Sequence, residues 1–412
     1  MKYAILIPDG CADEPIAELG GKTPLHYANL PHLDALARRG RVGRSLNVPA
    51  HLPPGSDVAT LALLGYNPSE VYTGRAPLEA AAMGIEMQPT DWAFRCNTVT
   101  IRDGMMESFT ADHISSEEAA ELVAAVQEKL PAMLGLPIRF YPGVSYRNLM
   151  LWSGSPPFTA ETRTYPPHDY TGQSILSVLP EGPGSDLIHL IATATRDLLA
   201  DHPVNKSRVA AGKLPCTHFW LWGQGKRPNM ETFAKRFGPS AGKPDFSGAM
   251  ITAVDLLRGI AKYLGWDILQ VPGATGYVDT DYAAKGRHAA EALRTHDLVC
   301  VHVEAPDESG HEGDFSKKIK SLEAIDTLLL PPLLEALENS SEGWRLLVSP
   351  DHPTPCRLKT HTHGAVPWLW AGSNVQADAA TSYDESTAEA SSLFFADGYR
   401  MMERLIDPEP IT

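Results

Sequence analysis

The chain has 412 residues, with 35 Lys and Arg against 50 Asp and Glu and a formal net charge of −15. Apolar residues make up 43 % of it, ample for a large core, and the length suggests two domains or one large α/β domain carrying an insertion. The acidic balance and the lack of a Lys/Arg block argue against a nucleic-acid partner, and no apolar run nears the roughly 20 residues of a membrane span. Acidic residues begin at Asp9, too soon for a signal peptide. The five cysteines, Cys11, Cys96, Cys216, Cys300 and Cys356, are scattered without a CxxC pair. Reduced thiols in a soluble cytoplasmic protein are therefore expected.

Short apolar strands alternate with amphipathic helices, the pattern of a largely parallel sheet covered on both faces. Residues 3–8 read as a first buried strand ending in Asp9-Gly10, followed by a helix over 32–39 and a second strand over 43–48. Pro53-Pro54-Gly55-Ser56-Asp57 then opens a helix through Leu64, with Ser56 or Asp57 as N-cap and Gly65 as the stop. From about Asp91 the texture changes. Residues 93–101 and 105–109 flank an Arg-Asp-Gly turn as a β-hairpin, a helix with a capping signal runs from Ser115 to about Leu130, two strands bracket Pro142-Gly143, and a Pro-rich stretch covers 155–183. Residues 89–201 are accordingly expected to form an inserted α+β domain. The α/β rhythm returns with a strand at 218–222, helices near Glu231 and Ile251, and strands at 267–271, 298–303 and 344–349. A long helix is expected over 315–337.

Three of these strand ends deliver acid or imidazole groups: Asp9, Asp307 with His311, and Asp351 with His352. In open α/β sheets the carboxyl ends of the strands form the ligand crevice, so these groups can converge. Asp307 and His311 lie one helical turn apart, within reach of one metal ion. His361 and His363, in Thr360-His361-Thr362-His363-Gly364, are further candidate nitrogen ligands. Oxygen and nitrogen ligands without thiolates suit Mn²⁺, Mg²⁺ or Zn²⁺ at a hydrolytic or phosphoryl-transfer site. Ser56 reads either as a helix cap or as a nucleophile at a helix N-terminus that favours an incoming phosphate. Basic islands at Gly74-Arg75, at Asn205-Lys206-Ser207-Arg208, and at Lys226-Arg227 could hold a phosphate or carboxylate, or be ordinary surface charge. Gly20-Gly21-Lys22-Thr23 and Gly223-Gln224-Gly225 each lack the rest of a nucleotide-binding fingerprint.

Taken in order, Pro8-Asp9-Gly10, Pro54-Gly55-Ser56-Asp57-Val58-Ala59, Tyr72-Thr73-Gly74-Arg75-Ala76-Pro77-Leu78-Glu79-Ala80, Asp307-Glu308-Ser309-Gly310-His311-Glu312-Gly313-Asp314 and Asp351-His352-Pro353-Thr354-Pro355 resemble the archaeal-type cofactor-independent phosphoglycerate mutases of the alkaline phosphatase superfamily. The resemblance covers nearly the whole chain. It implies an alkaline-phosphatase-like, mostly parallel α/β sheet with helices on both faces, formed by 1–88 and 202–412, and a smaller substrate-binding or lid domain over 89–201. It implies two divalent ions, Mn²⁺ first among them with Mg²⁺, Co²⁺ or Zn²⁺ as alternatives. Asp9, Ser56, Asp351 and His352 would bind one ion; Asp307, His311 and His363 would bind the other, with His361 as the alternative neighbour. Ser56 would become transiently phosphorylated while 3-phosphoglycerate and 2-phosphoglycerate interconvert without 2,3-bisphosphoglycerate. Arg75, His113, Arg208 and Lys226 are the expected contacts to the small phosphorylated acid, and a homo-oligomer is left open. His113 stands where archaeal members usually carry arginine, so a related acid such as homoserine, or simple phosphatase activity, is the alternative.

Overall fold

The computed structural model describes residues 1–411, and contacts divide them into two compact units, Met1–Tyr72 with the residues from Met230 onward, and Thr73–Asn229. The first unit is built on an eight-stranded sheet. Across it the strands run Phe394–Phe395, Arg41–Ser45, Val366–Gly372, Trp344–Val348, Lys2–Pro8, Leu298–Val303, Gly248–Ile251 and Asp267–Ile268. Lys2–Pro8 lies at the centre, parallel to both Leu298–Val303 and Trp344–Val348, and only Val366–Gly372 runs antiparallel to its neighbours. Strands buried on both faces read as unbroken apolar runs rather than alternating ones, which is why these three were visible in the sequence. Ala4 and Leu6 join the core formed with Leu322, Leu333 and Leu337, whereas Tyr3, Ile5 and Ile7 are buried on the opposite face, where Tyr3 meets Phe246 at 5.7 Å.

The structure departs from the expected elements at several places. Gly248–Ile251 is a strand, and the helix follows it at Asp255–Leu264. Val366–Gly372 and Phe394–Phe395 are further strands that the sequence reading did not include. The expected helix over 315–337 is interrupted by a π-turn at Ile325–Leu329, ahead of Pro331 and Pro332. The interruption has a structural use. It presents the Asp326 carboxylate to the backbone N–H groups of His32 and Leu33 (3.2 and 2.7 Å), capping the helix Pro31–Arg38, whose own N-cap residue Leu30 offers no side-chain bond.

The second unit is an antiparallel sheet with helices packed on it. Trp92–Arg102 pairs with Met105–Ser108, with Arg147–Trp152 and with His218–Lys226, and Ile138–Tyr141 completes the sheet. Asp103 and Gly104 both take positive φ (51° and 75°), as a two-residue hairpin turn requires. The helix Ser116–Leu134 opens on a capping box between Ser115 and Glu118 and ends at Gly135. The strand at 218–222 thus belongs to this unit, not to the large sheet. Because it pairs along Trp92–Arg102, the unit extends over Thr73–Asn229 and beyond both ends of the expected 89–201. Among the described residues no helix is long and apolar enough to cross a membrane, and all five cysteines are free and buried.

Candidate active site

The segments that leave the carboxyl ends of the three central strands of the first unit carry Asp9, Asp307 and the Asp351-His352 pair; Asp307 sits in the first turn of the helix Ala305–Glu312 and His311 in its last. The close approach of these segments depends on Gly10. Its φ is +58°, and a Cβ there would lie 2.3 Å from Asp307 Oδ1 and 2.5 Å from Thr354 Oγ1, so only glycine fits the turn. The Gly10 N–H donates to Asp351 Oδ1 (3.1 Å), which also accepts from the His352 N–H (2.9 Å). Asp351 Oδ2 is buried with no hydrogen-bond partner.

Ser56 faces this group. The helix Ser56–Leu63 begins with it, and the preceding Gly55 is extended and supplies no side-chain cap. Ser56 is therefore the first helical residue rather than the cap, and its hydroxyl is turned to the site. Its Oγ lies 3.3 Å from Asp9 Oδ2 and 3.2 Å from His352 Nε2. Asp9, Asp351 and His352 offer ligand atoms within 4.8 Å of one another, all three buried.

A second group stands beside it. Asp307, His311 and His361 also present ligand atoms within 4.8 Å. His311 Nε2 lies 3.2 Å from Asp307 Oδ2, His361 Nε2 lies 3.4 Å from Asp307 Oδ1, and the two Nε2 atoms are 2.9 Å apart. His311 Nδ1 bonds the Lys359 carbonyl (3.1 Å) and His361 Nδ1 the Pro54 carbonyl (3.3 Å). A carbonyl only accepts, so each Nδ1 carries a proton; in a neutral ring Nε2 is then the inward-facing ligand atom, whereas a ring whose Nε2 donates to Asp307 carries both protons. The His352 and His361 rings, 4.2 Å apart, join the groups, as does Thr354 Oγ1, which bonds both Asp307 and His352 Nδ1.

The electrostatics call for cations. Burial, and then the charges of Asp351 and Asp307, push Asp9 well above the usual carboxylate range. Against burial, hydrogen bonds from His311 and His361 hold Asp307 well below it, and the bond to Asp307 lifts His311 to about 9. Burial, with Glu308 and Asp307 nearby, raises Glu304 to about 8. A buried Asp351 oxygen without a hydrogen-bond partner, and two imidazole Nε2 atoms that converge on the Asp307 carboxylate, become acceptor-only cages of the kind that divalent cations fill once His311 gives up its proton. The residues fit two such ions.

Of the residues expected from the sequence, Asp9, Ser56, Asp351 and His352 come together, as do Asp307 and His311. His363 does not join them: its Nε2 bonds the Leu52 carbonyl at 2.9 Å, and His361 stands in its place. Residues 361–365 form no regular strand, so the two imidazoles, two positions apart, are not held on one face. In the second unit, Arg208 is buried and engaged by Glu118 and by the carbonyls of Ala111 and Leu214, a set of contacts that ties the unit together. Lys226 is exposed at the end of its strand, and Arg75 precedes the helix Ala76–Ala82. His113 is exposed at the end of three successive non-glycine residues with positive φ, Ala111, Asp112 and His113 (46°, 55° and 50°), a rare and strained run. The sequence reading overlooked Arg95 and Arg147, whose charges are felt together with that of Arg75. It also overlooked Thr354, Glu304 and His302. The one polar residue in the strand Leu298–Val303 was the available signal for His302.

Residues 37–205 match the family described as 2,3-bisphosphoglycerate-independent phosphoglycerate mutase. Over 99 % of its length the chain is 45 % identical to a probable 2,3-bisphosphoglycerate-independent phosphoglycerate mutase of Geobacter sulfurreducens, covering 100 % of that protein. It is 46 % identical to 2,3-bisphosphoglycerate-independent phosphoglycerate mutase 2 of Methanothermobacter thermautotrophicus across 99 % of this chain and 98 % of that one. The structure of a Pyrococcus horikoshii protein matches with a TM-score of 0.80 at 26 % identity, covering 98 % of this chain and 96 % of that one. A cofactor-independent phosphoglycerate mutase from Thermoplasma acidophilum matches with a TM-score of 0.68 at 26 % identity, covering 98 % and 99 %.

Proposed function

Because the chain belongs to the 2,3-bisphosphoglycerate-independent phosphoglycerate mutases, we propose that it interconverts 3-phosphoglycerate and 2-phosphoglycerate through a phosphoserine at Ser56. The observation that carries this reading is the placement of Ser56 Oγ at a helix start, against Asp9 and His352 and beside a second set of ligands. Asp9, Asp351 and His352, with Ser56, would hold one divalent ion, and Asp307, His311 and His361 the other. When bound, the two ions supply Lewis-acid stabilisation of the attacking and leaving oxygens and of the phosphoryl charge.

The chain's own groups define the rest. Ser56 Oγ attacks phosphorus while its proton passes toward the Asp9 carboxylate. The bond from phosphorus to the C3 oxygen breaks, and that oxygen takes up a proton to leave glycerate. Attack by the 2-hydroxyl oxygen on the phosphoserine then breaks the bond to Ser56 Oγ and returns the proton. The uncapped first turn of Ser56–Leu63 turns backbone N–H groups toward the phosphoryl oxygens. The substrate carboxylate needs a cationic partner, and in the second unit Arg75, with Arg95 and Arg147 near it, and the exposed Lys226 and His113 are the candidates. The phosphoryl group comes from the substrate itself, which accounts for the lack of a nucleotide-binding loop. Five free, buried cysteines accord with a reducing, cytoplasmic setting.

The test is an enolase-coupled assay with 3-phosphoglycerate and Mn²⁺, without 2,3-bisphosphoglycerate, on the wild type and Ser56→Ala. Activity is expected in the wild type alone. Full activity in Ser56→Ala would remove the nucleophile, and an inactive wild type that still binds two metal ions would transfer the chemistry to another acid.

A further inference from the structure

The strand Leu298–Val303 is buried along its whole length and is apolar except at His302, which is 0 % exposed. His302 pairs in register with Ile7 of the parallel strand Lys2–Pro8. Asp9 lies two residues beyond Ile7, on the same face, so the imidazole is directed at its carboxylate. His302 Nε2 stands 2.9 Å from Asp9 Oδ2, and His302 Nδ1 stands 3.3 Å from Thr252 Oγ1. Thr252 Oγ1 accepts the Val254 N–H (3.0 Å), which leaves its hydroxyl proton for Nδ1. With Nδ1 accepting, Nε2 carries the ring proton and donates it to Asp9. The backbone at the same residue is also held, because the buried Lys285 Nζ donates to the His302 carbonyl at 3.1 Å.

We infer that Thr252 and His302 form a positioning chain that fixes the Asp9 carboxylate for cation binding beside Ser56. The inference rests on the reading of Asp9 as a metal ligand. A hydrogen bond to Oδ2 fixes the rotation of the carboxylate while leaving Oδ1 facing His352 Nε2 (3.5 Å). A neutral imidazole does this without competing for the cation's place, as a lysine or arginine at 302 would. An apolar residue would fit the strand and leave Asp9 free to turn. Groups that orient metal ligands in this way typically contribute about 10–100-fold to affinity.

The experiment measures Mn²⁺ binding by calorimetry on the full chain, in a His311→Ala background that disables the Asp307 group and leaves the Asp9 group to be read alone. His302→Leu should weaken that site about 10–100-fold, and His302→Gln, whose amide can reach the Nε2 position, should restore most of the loss. Thr252→Val, nearly equal in volume, should weaken it several-fold. Unchanged affinity in His302→Leu overturns the inference, as does equal weakening in His302→Leu and His302→Gln, which would mark a packing role. Should His302→Leu fail to fold, Thr252→Val decides, and wild-type affinity there refutes the chain. Failure of the wild type, without any substitution, to bind Mn²⁺ would overturn the reading of the site itself, and this inference with it.

Discussion

Lys318 provides the sharpest test of how the site is held together. Its side chain is 0 % exposed and that of Asp13 is 1 % exposed, with Nζ at 2.8 Å from Asp13 Oδ2 and 2.8 Å from the Thr354 carbonyl. Asp13 in turn accepts the Cys356 N–H at 3.1 Å. Lys318 thus joins the loop after Lys2–Pro8 to the loop after Trp344–Val348, directly behind the Thr354 hydroxyl that bonds Asp307. Lys318→Met keeps the length of the stem but leaves a buried carboxylate facing only backbone donors and a carbonyl without its partner. Breaking a buried pair by removing one member typically costs about 3–5 kcal/mol, and at ~2 °C per kcal/mol for a unit of this size the melting temperature should fall by about 8 °C. Scanning calorimetry of the metal-free chain reads this directly. Replacing both partners, as Lys318→Met with Asp13→Leu, should recover part of the loss because no charge is then left unpaired. A loss under about 1 kcal/mol in the single variant, or a double variant no more stable than the single, would refute the reasoning.

Two further expectations concern the metal groups. His361→Ala should lower metal content to one ion per chain, whereas His363→Ala, which removes only a bond to the Leu52 carbonyl, should leave two; the reverse result would return the ligand to His363. Glu304, raised to about 8 by burial and by Glu308 and Asp307, holds its proton at pH 7 in the metal-free chain. Cations on the neighbouring carboxylates lower that value and expel the proton, and His311, at about 9, must also give one up, so Mn²⁺ affinity should rise with pH and level off only above about 9. Calorimetry at pH 7 in buffers of different ionisation enthalpy counts the protons released, and a count of zero would contradict the assignment.

What could be read from the sequence follows from which interactions are local. The central strands were legible because residues 3–8 are apolar throughout and 298–303 are apolar except at His302, and their ends were legible because Asp9-Gly10 and the run from Asp307 interrupt apolar runs. Gly248–Ile251 was not, since four residues carry no period and a strong helix follows at once. The strand His218–Lys226 resembles the core strands in composition, and only its pairing with Trp92–Arg102 assigns it to the second unit. At the site, His361 and His363 share the same neighbours in sequence. Which of them faces Asp307 is decided by the Pro54 and Leu52 carbonyls, more than 300 positions away. Arg208 shows the converse error. It sits in a basic island by sequence, but Glu118 lies 90 positions back and closes over it.

The two metal groups differ in how their charge is balanced, and this bears on the division of labour between them. Around Asp307, two imidazoles converge on a single carboxylate, and without a cation a proton on His311 satisfies the set. Around Asp9, two buried carboxylates face His352, with His302 bonded to Asp9 from the strand behind, and burial with the neighbouring carboxylates pushes Asp9 well above the usual range. The Asp9 group therefore has the greater electrostatic need for a divalent ion, and it is the group that Ser56 touches. A hydroxyl held beside excess negative charge is a poor nucleophile, because its alkoxide would be repelled. The same hydroxyl beside a divalent ion bound by those carboxylates has that repulsion reversed. On the proposed mechanism the arrangement ties the reactivity of Ser56 to occupation of the Asp9 group, so that a nucleophile would be generated only where the charge to receive a phosphoryl group is already in place.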